Sequence, residues 1–361
     1  MKKYSEAELC LIWLDSFGGL EYKHKQQAYS LIKGKSGIKA VIENCKDYII
    51  SEAGESVYLT LKNSANAAYL DYVTEGLEKR GITAVTAESE DYPEKLLQTD
   101  LPPLVLYTKG DVSLINEEIF GIVGSRKSLP ADLNAATVFA ESLSDAGFTL
   151  VTGIAEGVDS AVIKAALNKN GKVISVVAGG FDNAYPASNR KLLEEIAERG
   201  LIVSEQPPKV VAKPYFFPIR NRIIAGLSDG VLIVSGGMKS GALYTAEYAE
   251  EYGRELFAVP HGYGVKSGEG CNDLIKRGAR LADTPKDILA LFGKEEKETA
   301  SVTLTDEEQT VVNALADGCS HVEEICLKTG RPVYEIASVL SGLEIKGIAV
   351  KSGFNAYGLK R

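Results

Sequence analysis

Between residues 119 and 259, short apolar runs alternate with longer segments whose apolar positions recur every three or four residues. The runs at 119–123, 149–152, 173–177, 201–204, 230–234 and 255–259 are dominated by Val, Ile and Leu, and they predict strands buried on both faces. Segments 132–145, 158–168, 189–199, 219–227 and 242–252 carry helical spacing. Such alternation predicts βαβ units, that is, an α/β fold with an extended Rossmann-like, mostly parallel sheet. Right-handed crossovers then place the loops that follow the strands on one common edge.

The flanks are patterned differently. Residues 7–17, 25–33, 38–44 and 65–80 show helical spacing broken by Gly18-Gly19, Gly34 and Gly37, predicting a small helical domain over 1–85. The prolines of Tyr92-Pro93 and Pro102-Pro103 predict an extended linker at the start of the central domain, 86–293. Charged residues from Lys294 to Glu298 predict a linker over 294–300. Three helical segments, 306–316, 322–329 and 333–346, then precede a hairpin of 348–351 with 356–359, an order that predicts a winged helix over 301–361.

The longest apolar stretches run five to seven residues, which predicts no membrane span. The acidic N-terminal segment after Met1-Lys2-Lys3 does not resemble a secretory signal, and the five scattered cysteines suit reduced thiols, so a cytoplasmic location is expected. Cys319, His321 and Cys326 lack a fourth ligand, so no metal site is expected there. A net charge of −9 changes the picture more: any nucleic-acid site must be local, because the whole chain repels phosphate.

Candidate chemistry gathers after the strands, where open α/β sheets bind ligands. Gly124-Ser125-Arg126, Gly153, Gly179-Gly180-Phe181 and Gly236 to Gly241, with Lys239 and Ser240, occupy those loops. Glycine permits close backbone approach, and helix N-termini favour anions, so a phosphate or nucleotide is the expected guest. Neither GxGxxG nor GxxxxGK[ST] is present, which argues against NAD chemistry and ATP hydrolysis and leaves no cofactor expected. The run from Pro214 to Ser228 places Arg220, Asn221 and Arg222 beside Tyr215, Phe216 and Phe217. Arginine forks suit phosphate and aromatic faces suit unpaired bases; alternatively the arginines pair with Glu205 or Asp229 and the rings are core. Histidines 24, 261 and 321 are dispersed without a nucleophile motif, so no enzyme is expected. Asp159 is expected to hold its loop and Glu156 to be solvated.

Taken with Tyr185-Pro186, Asn189, Ser204-Glu205, Phe217-Pro218, Thr245-Ala246 and Gly270-Cys271-Asn272, these motifs resemble the DprA (Smf) family over about residues 92–292. Thr152 stands where Ser is usual, and residues 160–164 lack a histidine many relatives carry. The resemblance implies a helical SAM-like N-terminal domain, an extended Rossmann fold and a winged-helix C-terminus. It also implies single-stranded-DNA binding as a homodimer, with loading of the RecA recombinase and displacement of single-strand-binding protein in natural transformation. Arg126 matches the pocket arginine; Gly124, Ser125, Gly153, Gly179, Gly180, Phe181, Tyr185, Asn189, Arg220, Asn221, Arg222, Lys239 and Ser240 match positions near the same edge. Two rival readings come from the residues. In a nucleotide phosphoribohydrolase with a GGxGTxxE loop, Glu247 would be the displaced glutamate. In a winged-helix reader of duplex DNA, only Arg331 and Lys346 would supply positive charge.

Overall fold

A computed structural model describes residues 2–32, 37–183, 185–296, 304–353 and 355–359; Lys33, Gly34 and positions 297–300 of the expected linker lie outside the described residues. The chain divides into two units, Met1–Glu296 and Lys297–Arg361.

Among the described residues the first unit opens with six helices, α1 (Glu6–Ser16), α2 (Tyr22–Ile32), α3 (Ile38–Asn44), α4 (Lys46–Ala53), α5 (Glu55–Ser64) and α6 (Ala67–Glu78). Ser5 starts α1 with a capping box, its hydroxyl accepting from the Glu8 N–H. The helices enclose Trp13, Leu14, Ile49 and Leu61, and the same core continues onto Ala84, Val105 and Tyr107 of the sheet.

The sheet has nine strands: β1 (Thr83–Thr86), β2 (Val105–Gly110), β3 (Ile119–Val123), β4 (Thr149–Thr152), β5 (Val173–Val177), β6 (Leu201–Ser204), β7 (Gly230–Ile233), β8 (Glu255–Ala258) and β9 (Arg280–Leu281). Their order is β1-β2-β6-β5-β4-β3-β7-β8-β9. The strands from β6 across to β9 are parallel, whereas β1–β2 and β2–β6 are antiparallel. The six strands predicted from apolar runs are present, and β1, β2 and β9 are additional. Part of the expected linker is therefore sheet: past Pro103 the chain is free to donate, and Val105–Gly110 registers against both β1 and β6.

Connecting helices are α7 (Glu94–Leu97), α8 (Pro130–Asp145), α9 (Val158–Asn168), α10 (Arg190–Arg199), α11 (Phe216–Leu227), α12 (Ala242–Glu251), α13 (Glu269–Lys276) and α14 (Pro285–Leu291). Side chains alternate across each strand, so Ile119 and Val123 join one core while Phe120 and Ile122 join the other. Burial on both faces explains the unbroken apolar runs. The chain steps from β3 outward to β6, then returns to β7 on the other side of β3. This reversal opens a crevice at the carboxyl ends of β3 and β7.

The second unit contains α15 (Asp306–Ala316), α16 (Val322–Thr329), α17 (Val333–Ile345) and a hairpin of β10 (Ala349–Gly353) with β11 (Ala356–Leu359), the predicted winged-helix order. Val311, Ile325, Ile336 and Leu340 form its core, with half-buried Cys319 and Cys326 against it.

Candidate nucleic-acid interface

The crevice at the switch point holds a cleft of about 410 Å³. One wall is the loop after β3, Gly124 to Lys127; the other is Ser240, the N-terminus of α12 and Thr245. The first turns of α11 form the floor with Phe217, Pro218, Arg220 and Asn221. Gly124 is required because a Cβ there would lie 2.6 Å from Val158. Asn221 ties the floor to the far wall, its Nδ2 donating to the Gly241 carbonyl at 3.0 Å. The N-terminus of α12 adds the positive end of a helix dipole.

Arg126 is exposed at the mouth, its guanidinium 5.0 Å from the Phe217 ring centroid. Among the described residues neither Arg126 nor Lys127 makes an ion pair, so both charges are available to a ligand. Beyond Arg126 lies a slot of about 80 Å³ walled by Ile154, Ala178, Tyr185, Pro186 and Phe217. Tyr185 and Phe217 meet edge to face at 5.9 Å, and Tyr185 is 57% exposed. The arrangement offers anion-binding groups on one side of Arg126 and an aromatic, apolar slot on the other.

Beneath both cavities Arg220 and Asp159 are buried. Arg220 donates to the Val176 carbonyl and, through Nε, to Asn221 Oδ1 at 3.1 Å. Burial lowers its guanidinium to about 10, with Asp159 opposing the fall and Arg126 adding to it. Burial raises the Asp159 carboxyl, against the pull of Arg220. Asp159 accepts from the Ala155 N–H at 3.1 Å, the loop-holding role expected of it. Gly153 belongs to this layer: a Cβ there would sit 2.9 Å from Arg220 Nη2 and also strike Asp159.

Of the residues expected at this edge, Gly124, Ser125, Arg126, Tyr185, Arg220, Asn221 and Ser240 line the cleft or slot. The others lie elsewhere. Arg222 is a correction: it is buried in an ion pair with Glu205 and stacks over Tyr22 of α2 at 5.8 Å. Burial is the largest influence and works against its charge, but Glu205 together with Tyr22 and Tyr252 holds the guanidinium above its ordinary value. Gly179 and Gly180 face the 207–212 loop, where a Cβ on Gly180 would collide with the carbonyls of Pro207 and Pro208. Phe181 packs half-buried between two cores. Asn189 braces the loop after β4, donating to Ile154 O at 2.7 Å and Ser160 Oγ at 3.0 Å. Lys239 is exposed on its loop and lines neither cavity. Lys127 and Thr245 belong to the motifs read from the sequence but were not among the expected site residues; both line the cleft.

The rival chemistries find less support in the geometry. Glu247 is exposed on α12 and lines neither the cleft nor the slot. In the winged helix, Arg331 pairs with Glu307 at 2.9 Å and Lys346 with Glu308 at 2.7 Å. Glu156, expected to be solvated, is exposed and accepts from Ser188 at 2.8 Å. Among the described residues no group of three or more His, Cys, Asp or Glu is placed to hold a metal ion, and no helix is long and apolar enough to cross a membrane.

Comparison with known proteins agrees with this architecture. The sequence profile of DNA recombination-mediator protein A matches residues 83–293, and that of the DprA winged helix domain matches 295–353. DNA processing protein DprA of Bacillus subtilis is 36% identical over 231 residues, covering 63% of this chain and 78% of that protein. Protein Smf of Escherichia coli is 34% identical over 292 residues, 77% of this chain and 78% of the relative. DNA processing protein A from Streptococcus pneumoniae superposes with a TM-score of 0.68 at 27% identity, over 80% of this chain and 98% of that one. Its counterpart from Helicobacter pylori, studied for its single-stranded-DNA binding mode, matches with a TM-score of 0.54 at 29% identity, over 59% of this chain and 97% of that one. The profile match spans the whole sheet and both walls of the cleft, and the chain belongs to the DprA/Smf family of DNA recombination-mediator proteins.

Proposed function

We propose that this chain binds and protects single-stranded DNA in the cleft and slot, and passes the strand to a RecA-type recombinase without catalytic turnover. One observation carries the reading: an exposed arginine, Arg126, with no ion pair among the described residues, stands between an anion-binding cleft and an aromatic slot. Phosphate meets Arg126, Lys127 and the α12 N-terminus, while an unpaired base enters beside Tyr185 and Phe217. A duplex keeps its bases stacked and paired, so it cannot fill the slot. Gly124, Ser125, Asn221 and Ser240 shape the cleft, with Arg220 beneath. The single-stranded-DNA binding mode of the Helicobacter pylori relative supports the choice of ligand.

Recombinase loading, displacement of single-strand-binding protein, homodimerisation and a cytoplasmic setting in natural transformation or DNA recombination rest on the family resemblance. Within the chain, residues 86–293 carry the cleft, the helices of 1–85 form a SAM-like domain whose last residues, from Thr83, enter the sheet, and 301–361 serve contacts other than the cleft. The test is a titration of labelled single-stranded and duplex DNA of equal length, followed by recombinase filament nucleation on strands coated with single-strand-binding protein. Preference for the single strand and faster nucleation support the reading. Equal affinity for duplex, or release of free base from nucleoside monophosphates, contradicts it.

A further inference from the structure

A third cavity adjoins the slot and has no role in the site described so far. It is a groove of about 460 Å³ between α8 and α9, bordered by Thr137, Gly157, Lys164, Asn168 and Asn189. Arg126 lines both the cleft and the slot, and Glu156 lines both the slot and this groove, so the three are successive neighbours along one edge. Gly157 borders the groove and packs against the loop that carries Arg126: its φ is +85°, and a Cβ there would strike the carbonyl of Ser125. We infer that a single strand leaving the slot continues into the groove, which forms a further nucleotide subsite with Lys164 as its phosphate contact. The inference rests on the single-strand reading above.

The chemistry along the path alternates as a strand does. Arg126 offers a phosphate contact, and the slot offers apolar and aromatic surface. Glu156 then repels phosphate, so the backbone passes it at a distance and turns a sugar or base toward it. The next cation is Lys164, exposed and without an ion pair among the described residues. Asn168, one turn further along α9, projects from the same face and supplies a neutral donor and acceptor. The mouth is organised before any ligand arrives: Asn189 Nδ2 holds Ile154 O and Ser160 Oγ, and Ser160 Oγ donates to Ala155 O at 2.8 Å. One hydrogen-bonded network thus sets the loop that walls the slot and opens the groove.

The test titrates the full chain with a tetranucleotide and a dodecanucleotide of the same base composition, at several salt concentrations. In the wild type, affinity for the longer strand falls more steeply with salt. Lys164→Ala flattens that slope by about 0.7, the value for one phosphate contact on a single strand. It weakens the dodecanucleotide about threefold to fivefold, as expected for an exposed charge pair, and leaves the tetranucleotide unchanged. Lys164→Glu gives a larger loss with the same length dependence. Dodecanucleotide binding that is unaffected by Lys164→Glu overturns the groove, and so does an equal loss at both lengths. Failure of the wild type to bind either strand is a separate result, and it overturns the underlying single-strand reading.

Discussion

Arg126→Ala removes the charge that links the cleft to the slot and leaves the fold intact. Arg126 is exposed, and its main packing contact is the 5.0 Å stack on Phe217. Such a contact contributes about 0.5–1 kcal/mol at an exposed site, which shifts Tm by no more than about 2–4 °C. The effect on binding is larger. A hydrogen bond from an ionised donor contributes about 1.5–3 kcal/mol, so the Kd for single-stranded DNA rises about 10- to 150-fold. Losing one phosphate contact also lowers the slope of log affinity against log salt by about 0.7. Arg126→Lys keeps the charge and loses the planar fork, so it retains the slope and recovers part of the affinity. The assay is fluorescence anisotropy of a labelled oligonucleotide across a salt series, with melting curves run in parallel. Wild-type affinity and slope in Arg126→Ala would refute the reasoning, as would a loss explained by unfolding.

Other consequences follow from the buried charges. Arg222→Met leaves Glu205 buried without its partner and lowers the unfolding free energy by about 3–5 kcal/mol; urea denaturation measures it, and a change under about 1 kcal/mol would contradict a desolvated pair. Replacing Arg222 and Glu205 together with apolar residues restores much of that loss. Burial alone would raise the Glu8 carboxyl, yet hydrogen bonds from Ser89 and from Ser5 hold it below the ordinary 4.5. Its stabilisation is therefore present above 4.5 and lost as pH falls through the lower folded value. Glu8→Gln is accordingly less stable than wild type at neutral pH, with the gap closing in acid; a gap that widens in acid contradicts the sign.

The sheet was legible because burial on both faces leaves short apolar runs, such as 119–123 and 173–177, that recur between helical segments. Strand β1 was not, since 83–85 fell within the expected helical domain, nor was β2, since Pro102-Pro103 reads as extended chain and only long-range pairing shows that Val105–Gly110 is sheet. Helices α4 and α5 were not predicted; α4 buries Ile49, and α5 buries Tyr58 and Leu61. At the site, the loop after β3 was legible from its glycine and charges. The grouping of Arg222 with Arg220 failed for a geometric reason already present in the spacing. Residues two apart on a helix point about 200° apart, so when Arg220 lies beneath the cleft Arg222 must face away, toward Glu205 and Tyr22. Gly179 and Gly180 were expected to let the backbone approach a ligand, but the backbone they approach is the 207–212 loop, a long-range contact the sequence does not show.

The central claim is most directly tested by photo-crosslinking. A single strand carrying a photoreactive base is bound to the full chain, irradiated and mapped by mass spectrometry. Crosslinks at Tyr185 and Phe217, lost when Arg126 is replaced by Ala, are the predicted result. Crosslinks confined to the winged helix, or an unchanged pattern in Arg126→Ala, would contradict it.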